Sequence, residues 1–134
     1  ELARGIHPAV LTDRGLGPAL EVLADHSHLP VELNAHIPCR LPSTVEAVVY
    51  YVAAEGLTNV AKYAQATAAS LRLEANNKRV VLHVGDNGAG GADPNRGTGL
   101  RGLADRVEAM GGKLELRSPP GHGTLLTASI PYDG

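Results

Sequence analysis

The sequence predicts a two-layer α/β sandwich, in which helices cover one face of a mixed β-sheet. The strand-like segments alternate apolar and polar residues, as in VELNAHI at residues 31–37, which indicates one buried and one solvated face. The helical segments carry apolar residues at helical spacing, so each has one face to bury. A doubly wound sheet needs strands that are apolar on both faces, and the alternation therefore excludes it.

Length and composition narrow the class of protein. The 134 residues suit one domain with one hydrophobic core, and we take residues 1–134 as that domain. Twelve Lys and Arg against 14 Asp and Glu give a formal net charge of −2, which argues against capture of nucleic acid. The single cysteine excludes an internal disulfide and a cysteine-rich zinc site. Phe and Trp are absent, so the core must consist of Leu, Val and Ala.

Apolar spacing and turn residues predict the elements one by one. The first helix has Leu16, Leu20 and Leu23 on one face, and Pro18 is tolerated in its first turn. In chain order, the predicted elements are a helix at 15–27, a strand at 31–37, a helix at 43–64, strands at 69–75 and 79–85, a helix at 100–110, and strands at 113–117 and 123–131.

The long central helix has a marked start. Ser43 and Glu46 match the S-x-x-E capping box, in which the two side chains satisfy N–H groups at the helix start. The helix should run to about residue 64. Its predicted core stripe consists of Val45, Val49, Ala53, Val60 and Ala64.

The second half of the chain combines hairpins with one helix. NNK at residues 76–78 predicts a hairpin turn, because Asn tolerates a positive φ. The helix that begins at Leu100 ends at Gly111 and Gly112, since glycine favours helix C-termini. SPPGHG at residues 118–123 joins the last two strands.

Polar residues gather on one face of the central helix, away from its core stripe. At 100° per residue, EGLTNVAKY places an acid, an amide and a lysine together. Carboxylate and amide oxygens suit Mg²⁺, which takes few protein ligands and completes its shell with phosphates and water. A solvated helix face with an ion pair is the alternative. The face consists of Glu55, Asn59, Lys62 and Tyr63.

Two glycine-rich stretches follow. In GDNGAG, Asp86 stands at a strand end, where it either belongs to a simple turn or accepts a hydrogen bond from the exocyclic amine of a base. The G-x-G of GTGLRG stands at a helix start, where free N–H groups favour phosphate. The strand before it ends a dozen residues earlier, and this argues against a dinucleotide fold. GHGT at residues 121–124 reads as a hairpin turn.

Taken in order, these stretches resemble the catalytic ATP-binding domain of sensor histidine kinases, in the gyrase, chaperone, kinase and mismatch-repair (GHKL) ATPase superfamily. EGLTNVAKYAQAT resembles the N-box, DNGAG and GTGLRG the two glycine boxes, and PPGHGTLLTASIP the closing strand pair. The Glu that opens the N-box and the short lid resemble those of the nitrate-sensor-like branch. The resemblance implies the Bergerat-type ATP-binding fold. Residues 1–10 resemble the junction after a dimerisation hairpin.

The resemblance implies a role for each matching residue. Asn59 would ligate Mg²⁺ on the ATP phosphates, and Glu55 would orient or deprotonate the attacking group. Asp86 would accept from the adenine amine. Residues 87–98 would form an ATP lid, which we expect to be mobile without nucleotide. Lys62 would contact phosphate, and Tyr63 would line the nucleotide. Gly88 and Gly90 would leave room for the base, and Thr124 would support Asp86 or a water. The phosphates would be enclosed by Gly97, Thr98, Gly99 and Leu100.

The chain departs from the family in two places. Tyr63 stands where this branch often has His, and the absence of Phe removes the Phe box of other histidine kinases. None of the six histidines is followed by Asp or Glu, as the phosphoacceptor histidine of the family is. We therefore expect the acceptor to lie upstream, on a dimerisation hairpin outside this chain.

The function that this resemblance implies is donation of the ATP γ-phosphoryl to a histidine on that hairpin, with a response regulator downstream. A protein-serine kinase of the anti-sigma type and a non-enzymatic nucleotide-binding adaptor are the alternatives. We expect the isolated domain to be a cytoplasmic monomer. Because the chain begins at Glu1 rather than Met, we expect a longer parent protein, and its attachment to a membrane stays open.

Overall fold

The computed structural model describes residues 8–37, 40–61, 65–76, 78–89 and 100–132. The helices are α1 (Ala9–Arg14), α2 (Leu16–Asp25), α3 (Ser43–Asn59) and α4 (Leu100–Ala109), and the strands are β1 (Val31–His36), β2 (Ala69–Asn76), β3 (Arg79–Asp86), β4 (Lys113–Arg117) and β5 (Thr124–Pro131). Helix α1 begins within the last two residues of the predicted junction segment 1–10. The first seven residues of that segment lie outside the described ranges.

The strands form one mixed sheet in the order β1-β2-β3-β5-β4. The β1–β2 pair is parallel, and the other three pairs are antiparallel. Helix α2 packs on β1, α3 on β3 and β5, and α4 on β4 and β5. Along β2, β3 and β5, buried positions alternate with more exposed ones. The predicted two-layer α/β sandwich is confirmed.

The core lies between the helices and the sheet and has the predicted composition. Among the described residues, every buried apolar side chain except Ile130 belongs to Leu, Val or Ala. The stripe of α3 is buried as expected at Val45, Val49, Ala53 and Val60. Its predicted last member, Ala64, lies outside the described ranges.

Helix α3 ends earlier than predicted. The α-helix stops at Asn59 rather than near residue 64, and Val60 and Ala61 continue in a wider, π-helical turn. The chain must then turn back to start β2, and Gln65 adopts a left-handed φ of 54° on the way. The apolar spacing continues through this region, so it could not reveal where the helix gives way to the turn.

The predicted capping box is wrong. The N-cap of α3 is Pro42, and no side chain caps the helix there. A capping box needs an N–H on the N-cap residue, and proline has none. The carboxylate of Glu46 instead accepts hydrogen bonds from Arg40 Nε and Nη2, both at 2.9 Å, and from the Leu41 N–H at 3.2 Å.

The Arg40–Glu46 pair connects α1 with α3. Arg40 Nη2 also donates to the carbonyls of Leu11 and Thr12, at 3.3 and 3.2 Å, near the end of α1. Glu46 is only 2% exposed. Burial alone would raise the pKa of Glu46, but the hydrogen bonds from Arg40 and the Leu41 N–H, with the guanidinium charge, hold that pKa below its ordinary value.

We predict that Glu46→Gln lowers the free energy of unfolding at neutral pH by about 1.5–3 kcal/mol, as for hydrogen bonds to a charged group. The wild type should approach the variant as the pH falls. A carboxylate whose pKa is lower in the folded than in the unfolded state stabilises the fold at pH values above its unfolded-state pKa. This stabilisation is lost as the pH falls through the folded-state pKa. Urea unfolding of both proteins across the acid range measures this.

The matched control for this prediction is Glu108→Gln, at an exposed position of α4. It should leave the free energy of unfolding nearly unchanged, because surface carboxylates contribute little. If the free energies of unfolding of wild type and Glu46→Gln differed by the same amount at every pH, the carboxylate charge at this position would not be what stabilises the fold.

Candidate functional site

The end of β3 is the point where three segments of the sheet meet. Asp86, the last residue of β3, pairs with Ala69 on β2 and with Thr124 on β5. Because Ala69 is the first residue after the return from α3, the C-terminal ends of α3 and β3 lie at the same end of the domain. Strand alternation turns Asp86 and Thr124 to the face that carries the helices.

Gly56 brings the polar turn of α3 against β3. A Cβ at this position would lie 3.1 Å from Cγ1 of Val84, two residues before Asp86. The neighbouring Glu55 is half-buried, and within the described part of the chain its carboxylate has no hydrogen-bond partner. The close approach therefore places an acid beside the end of β3.

Asn59 has an unusual amide group one turn further along α3. Its Nδ2 is the only buried side-chain nitrogen or oxygen without a hydrogen-bond partner among the residues that the structure describes. The two ends of an asparagine amide exchange by a half-turn, and nothing in the described network fixes this one. The amide can therefore present its oxygen to a ligand, and it fits a site with one protein ligand to Mg²⁺ and phosphate oxygens around it.

Asp86 has one carboxylate oxygen oriented by the backbone. Its Oδ1 accepts from the N–H of Gly88 at 2.8 Å, which folds the chain into an Asx turn. Among the described residues, Oδ2 has no hydrogen-bond partner. One oxygen thus fixes the side chain while the other is left to accept from a ligand.

The loop before β5 packs against this strand end. The Ser118 and Thr124 hydroxyls are 2.6 Å apart and share a hydrogen bond, and the Gly121 N–H donates to the Ala89 carbonyl at 2.5 Å. A Cβ at Gly123 would press into the backbone carbonyl oxygen of Asp86. The predicted GHGT turn is therefore also a support for the candidate site.

The structure does not describe every residue that we predicted for the site. Leu100 begins α4, and its side chain is 6% exposed within the core, so a ligand can reach only its backbone. The predicted lid 87–98 is described only as far as Ala89. Outside the described ranges lie Lys62, Tyr63, Gly90, Gly97, Thr98 and Gly99.

From the sequence we placed Asn87 only as the first residue of the predicted lid 87–98, although it makes more side-chain hydrogen bonds than any described residue predicted for the site. Its Oδ1 accepts from the N–H groups of Thr67 and Ala68, at 2.9 and 3.1 Å, and its Nδ2 donates to the Thr67 hydroxyl at 2.9 Å. The pairing partners stand twenty residues away in the sequence, so no local pattern could have revealed them.

A cleft at the same end of the sheet is a separate surface. Asp86 and Thr124 are among its lining residues, but several strand side chains that line it face away from the helices, and neither Glu55 nor Asn59 contributes to it. Those outward-facing lining residues include Glu32, Ser70, Arg117 and Leu125. We therefore place the candidate site on the helix side.

Two further findings concern metals and membranes. Within the described ranges, no group of three or more His, Cys, Asp and Glu residues could hold a metal ion by itself. Among the same residues, no helix is both long enough and apolar enough to cross a bilayer.

Comparison with known proteins identifies relatives of this chain. The family model described as histidine kinase-, DNA gyrase B- and HSP90-like ATPase matches residues 44–134. The sensor histidine kinase NarS of Mycobacterium tuberculosis is 36% identical over 94% of this chain and 32% of that protein. The oxygen sensor histidine kinase NreB of Staphylococcus carnosus is 31% identical over 94% of this chain and 39% of that protein. The chain thus spans about a third of NarS and about two fifths of NreB.

Solved structures share the fold. The ATP-binding domain of PrrB from Mycobacterium tuberculosis superposes with a TM-score of 0.64 at 23% identity, over 92% of this chain and 93% of that one. The blue-light activated histidine kinase EL346 of Erythrobacter litoralis gives a TM-score of 0.71 at 23% identity, over 87% of this chain and 41% of that one. At these identities the likeness concerns the fold.

We predict that Gly123→Ala destabilises the domain more than Gly121→Ala. Both glycines have a left-handed φ, 77° and 81°, but only at Gly123 would a Cβ press into the carbonyl of Asp86. Left-handed backbone costs alanine about 1–2 kcal/mol, which is the loss expected for Gly121→Ala, and the steric conflict adds to it at Gly123. Urea unfolding measures both losses, and equal losses would contradict the packing argument.

Proposed function

The chain belongs to the histidine kinase-, DNA gyrase B- and HSP90-like ATPases, and we propose that it is the ATP-binding catalytic domain of a two-component sensor histidine kinase. Both relatives named above are sensor histidine kinases by name, which favours this branch of the family. The observation that carries the proposal is the buried Nδ2 of Asn59, which has no hydrogen-bond partner among the described residues. It lies on the turn of α3 that Gly56 holds against β3 near Asp86.

In the proposed complex, the base of ATP binds at the end of β3. Asp86 Oδ2 accepts from the exocyclic amine of adenine, while Oδ1 keeps its bond to the Gly88 N–H. Gly88, and Gly90 after it, leave room for a flat ring. Thr124 lies across the strand pair from Asp86 and supports that carboxylate, directly or through a water. This arrangement selects adenine, because guanine presents a carbonyl where adenine presents an amine.

The phosphates extend toward the end of α3. Asn59 would hold Mg²⁺ through its amide oxygen, and Lys62 would contact the phosphates, with Tyr63 along the nucleotide. Backbone N–H groups at the start of α4, at Leu100 and in the preceding GTG, would donate to phosphate oxygens. When bound, Mg²⁺ neutralises phosphate charge, which is the main requirement of phosphoryl transfer.

Glu55 is the proposed catalytic acid–base group. In the transfer, an imidazole nitrogen forms a bond to the γ-phosphorus while the bond from that phosphorus to the β–γ bridging oxygen breaks, and ADP leaves. Glu55 orients the imidazole or accepts its proton. Its carboxylate is half-buried and has no hydrogen-bond partner among the described residues, so it is available for either task.

The proposed phosphoacceptor is a histidine on a dimerisation hairpin that is not in this sequence. The histidines of this chain are followed by Pro, Ser, Leu, Ile, Val and Gly, and none by an acid. The chain is therefore the donor half of the reaction. A response regulator would receive the phosphoryl group from the hairpin in a later step.

We predict that Asn59→Ala abolishes the gain in ATP affinity that Mg²⁺ gives to the wild type, because the variant has lost the proposed metal ligand. Isothermal titration with a non-hydrolysable ATP analogue, with and without MgCl₂, measures this. If Mg²⁺ strengthens binding equally in both proteins, the metal assignment is wrong.

The matched variant is Asp86→Asn, which alters the base contact and leaves the metal site intact. It should weaken the binding of ATP and of ADP by roughly ten- to a hundred-fold, with and without Mg²⁺, as for the loss of a charge-assisted hydrogen bond. GTP that binds the wild type as tightly as ATP would contradict the role of Asp86.

We predict that the chain alone binds ATP but does not label itself with γ-labelled ATP, because none of its histidines is followed by an acid, as the phosphoacceptor of the family is. Adding the hairpin of the parent protein should restore weak labelling, since a tethered step has become bimolecular. Acid treatment after labelling identifies the product, because phosphohistidine is acid-labile. Acid-stable label would indicate a serine kinase, and acid-labile label on this chain would overturn its assignment as a donor half.

A further inference from the structure

Asn87 stands between the two parts of the candidate site. On one side it follows Asp86, whose backbone continues the β3 strand. On the other it contacts Thr67 and Ala68, which belong to the segment that leads from α3 back into β2. The residue thus joins the strand that carries the base contact to the chain that leaves the phosphate-binding helix.

The hydrogen bonds of Asn87 extend the β2–β3 ladder by one step beyond the strands. Its backbone N–H donates to the Ala68 carbonyl at 3.3 Å, next to the Ala69–Asp86 pair. Its side-chain oxygen then accepts from two successive N–H groups, those of Thr67 and Ala68. The side-chain amide completes the set by donating to the Thr67 hydroxyl. All of its side-chain hydrogen-bonding groups are therefore used on one short segment.

The segment that Asn87 holds has little else to fix it. Thr67 is exposed and Ala68 is half-buried, whereas Ala69 is the first buried residue of β2. Gln65, two residues before Thr67, has the left-handed φ of 54° that a side chain rarely adopts. Ala66 is the one described residue of this segment that packs against the core, so Thr67 and Ala68 depend on their hydrogen bonds to Asn87.

We propose that Asn87 is a positioning residue for nucleotide binding, which fixes the exit from α3 relative to Asp86 and so sets the separation between the base-binding and phosphate-binding groups. This rests on the proposed ATP site. Asn87 need not touch the nucleotide. Because Asn87 and Thr67 are both exposed, water can replace the lost bonds, and the effect of a substitution falls on geometry rather than on the stability of the fold.

The first experiment measures the anchoring without any nucleotide. In Asn87→Ala, amide exchange at Thr67 and Ala68 should quicken by about ten-fold, because their N–H groups have lost a hydrogen-bond acceptor. The central β2–β3 amides of Leu73 and Leu82 should keep their protection. Asn87→Asp retains an acceptor oxygen and should retain protection at Thr67 and Ala68. Unchanged exchange at Thr67 and Ala68 in Asn87→Ala would overturn the proposal, whatever happens to ATP binding.

The second experiment measures the consequence for the ligand. Asn87→Ala should weaken the binding of a non-hydrolysable ATP analogue by about ten-fold, the equivalent of one hydrogen bond. The melting temperature of this variant should stay close to that of the control. The control is Asn76→Ala, an exposed asparagine at the opposite end of β2. Thr67→Val, which loses only the hydroxyl contact, should give a smaller loss of affinity, and Thr67→Ser should restore it.

The outcomes separate this proposal from the proposed function. If the wild type binds the analogue and Asn87→Ala binds it equally well, Asn87 does not position the site, and the proposed function stands. If the wild type binds no nucleotide, the proposed function fails, and the positioning role fails with it. A loss of affinity accompanied by faster exchange throughout the sheet would show a general structural role and would also overturn the proposal.

Discussion

The close approach of α3 to β3 at Gly56 is the constraint on which the candidate site depends. A glycine inside a helix costs about 0.5–1 kcal/mol relative to alanine. Here the missing side chain lets the helix backbone lie on Val84, where a Cβ would be 3.1 Å from Cγ1. The polar turn with Glu55 and Asn59 therefore reaches the end of β3 instead of standing off by the width of a side chain.

Polar and aromatic contacts hold α3 in place along its length. Near its start, Arg40 joins the buried Glu46 to the end of α1. In its middle, the guanidinium of Arg106 on α4 lies 4.2 Å from the ring centroid of Tyr51. A cation–π contact of this kind contributes about 0.5–1 kcal/mol at an exposed site. These contacts supplement the apolar core, which packs the helix against the sheet.

Sequence patterns predicted the sandwich and the strands because alternation and helical spacing are local properties. They were misleading at the start of α3. Glu46 matched a capping box, but Pro42 offers no N–H, and Arg40 takes the carboxylate instead. The motif order led us to propose Asp86 and Asn59 as site residues. It gave no role to Asn87, because the partners of Asn87 follow α3 and meet it only through the β2–β3 register.

The unpartnered amide of Asn59 is where the packing of the domain fails to satisfy its own groups. Leaving a buried amide without a hydrogen bond costs about 1–3 kcal/mol, and native structures retain few such groups. The helix around it is well determined, since Val52, Ala53 and Gly56 are all buried against the sheet. The amide is therefore held in a position that the fold does not need and that a ligand can use. Proteins tolerate such local conflicts chiefly at functional sites. In the proposed complex, a bound phosphate and its metal would relieve the conflict, so nucleotide binding would add to the stability of the domain.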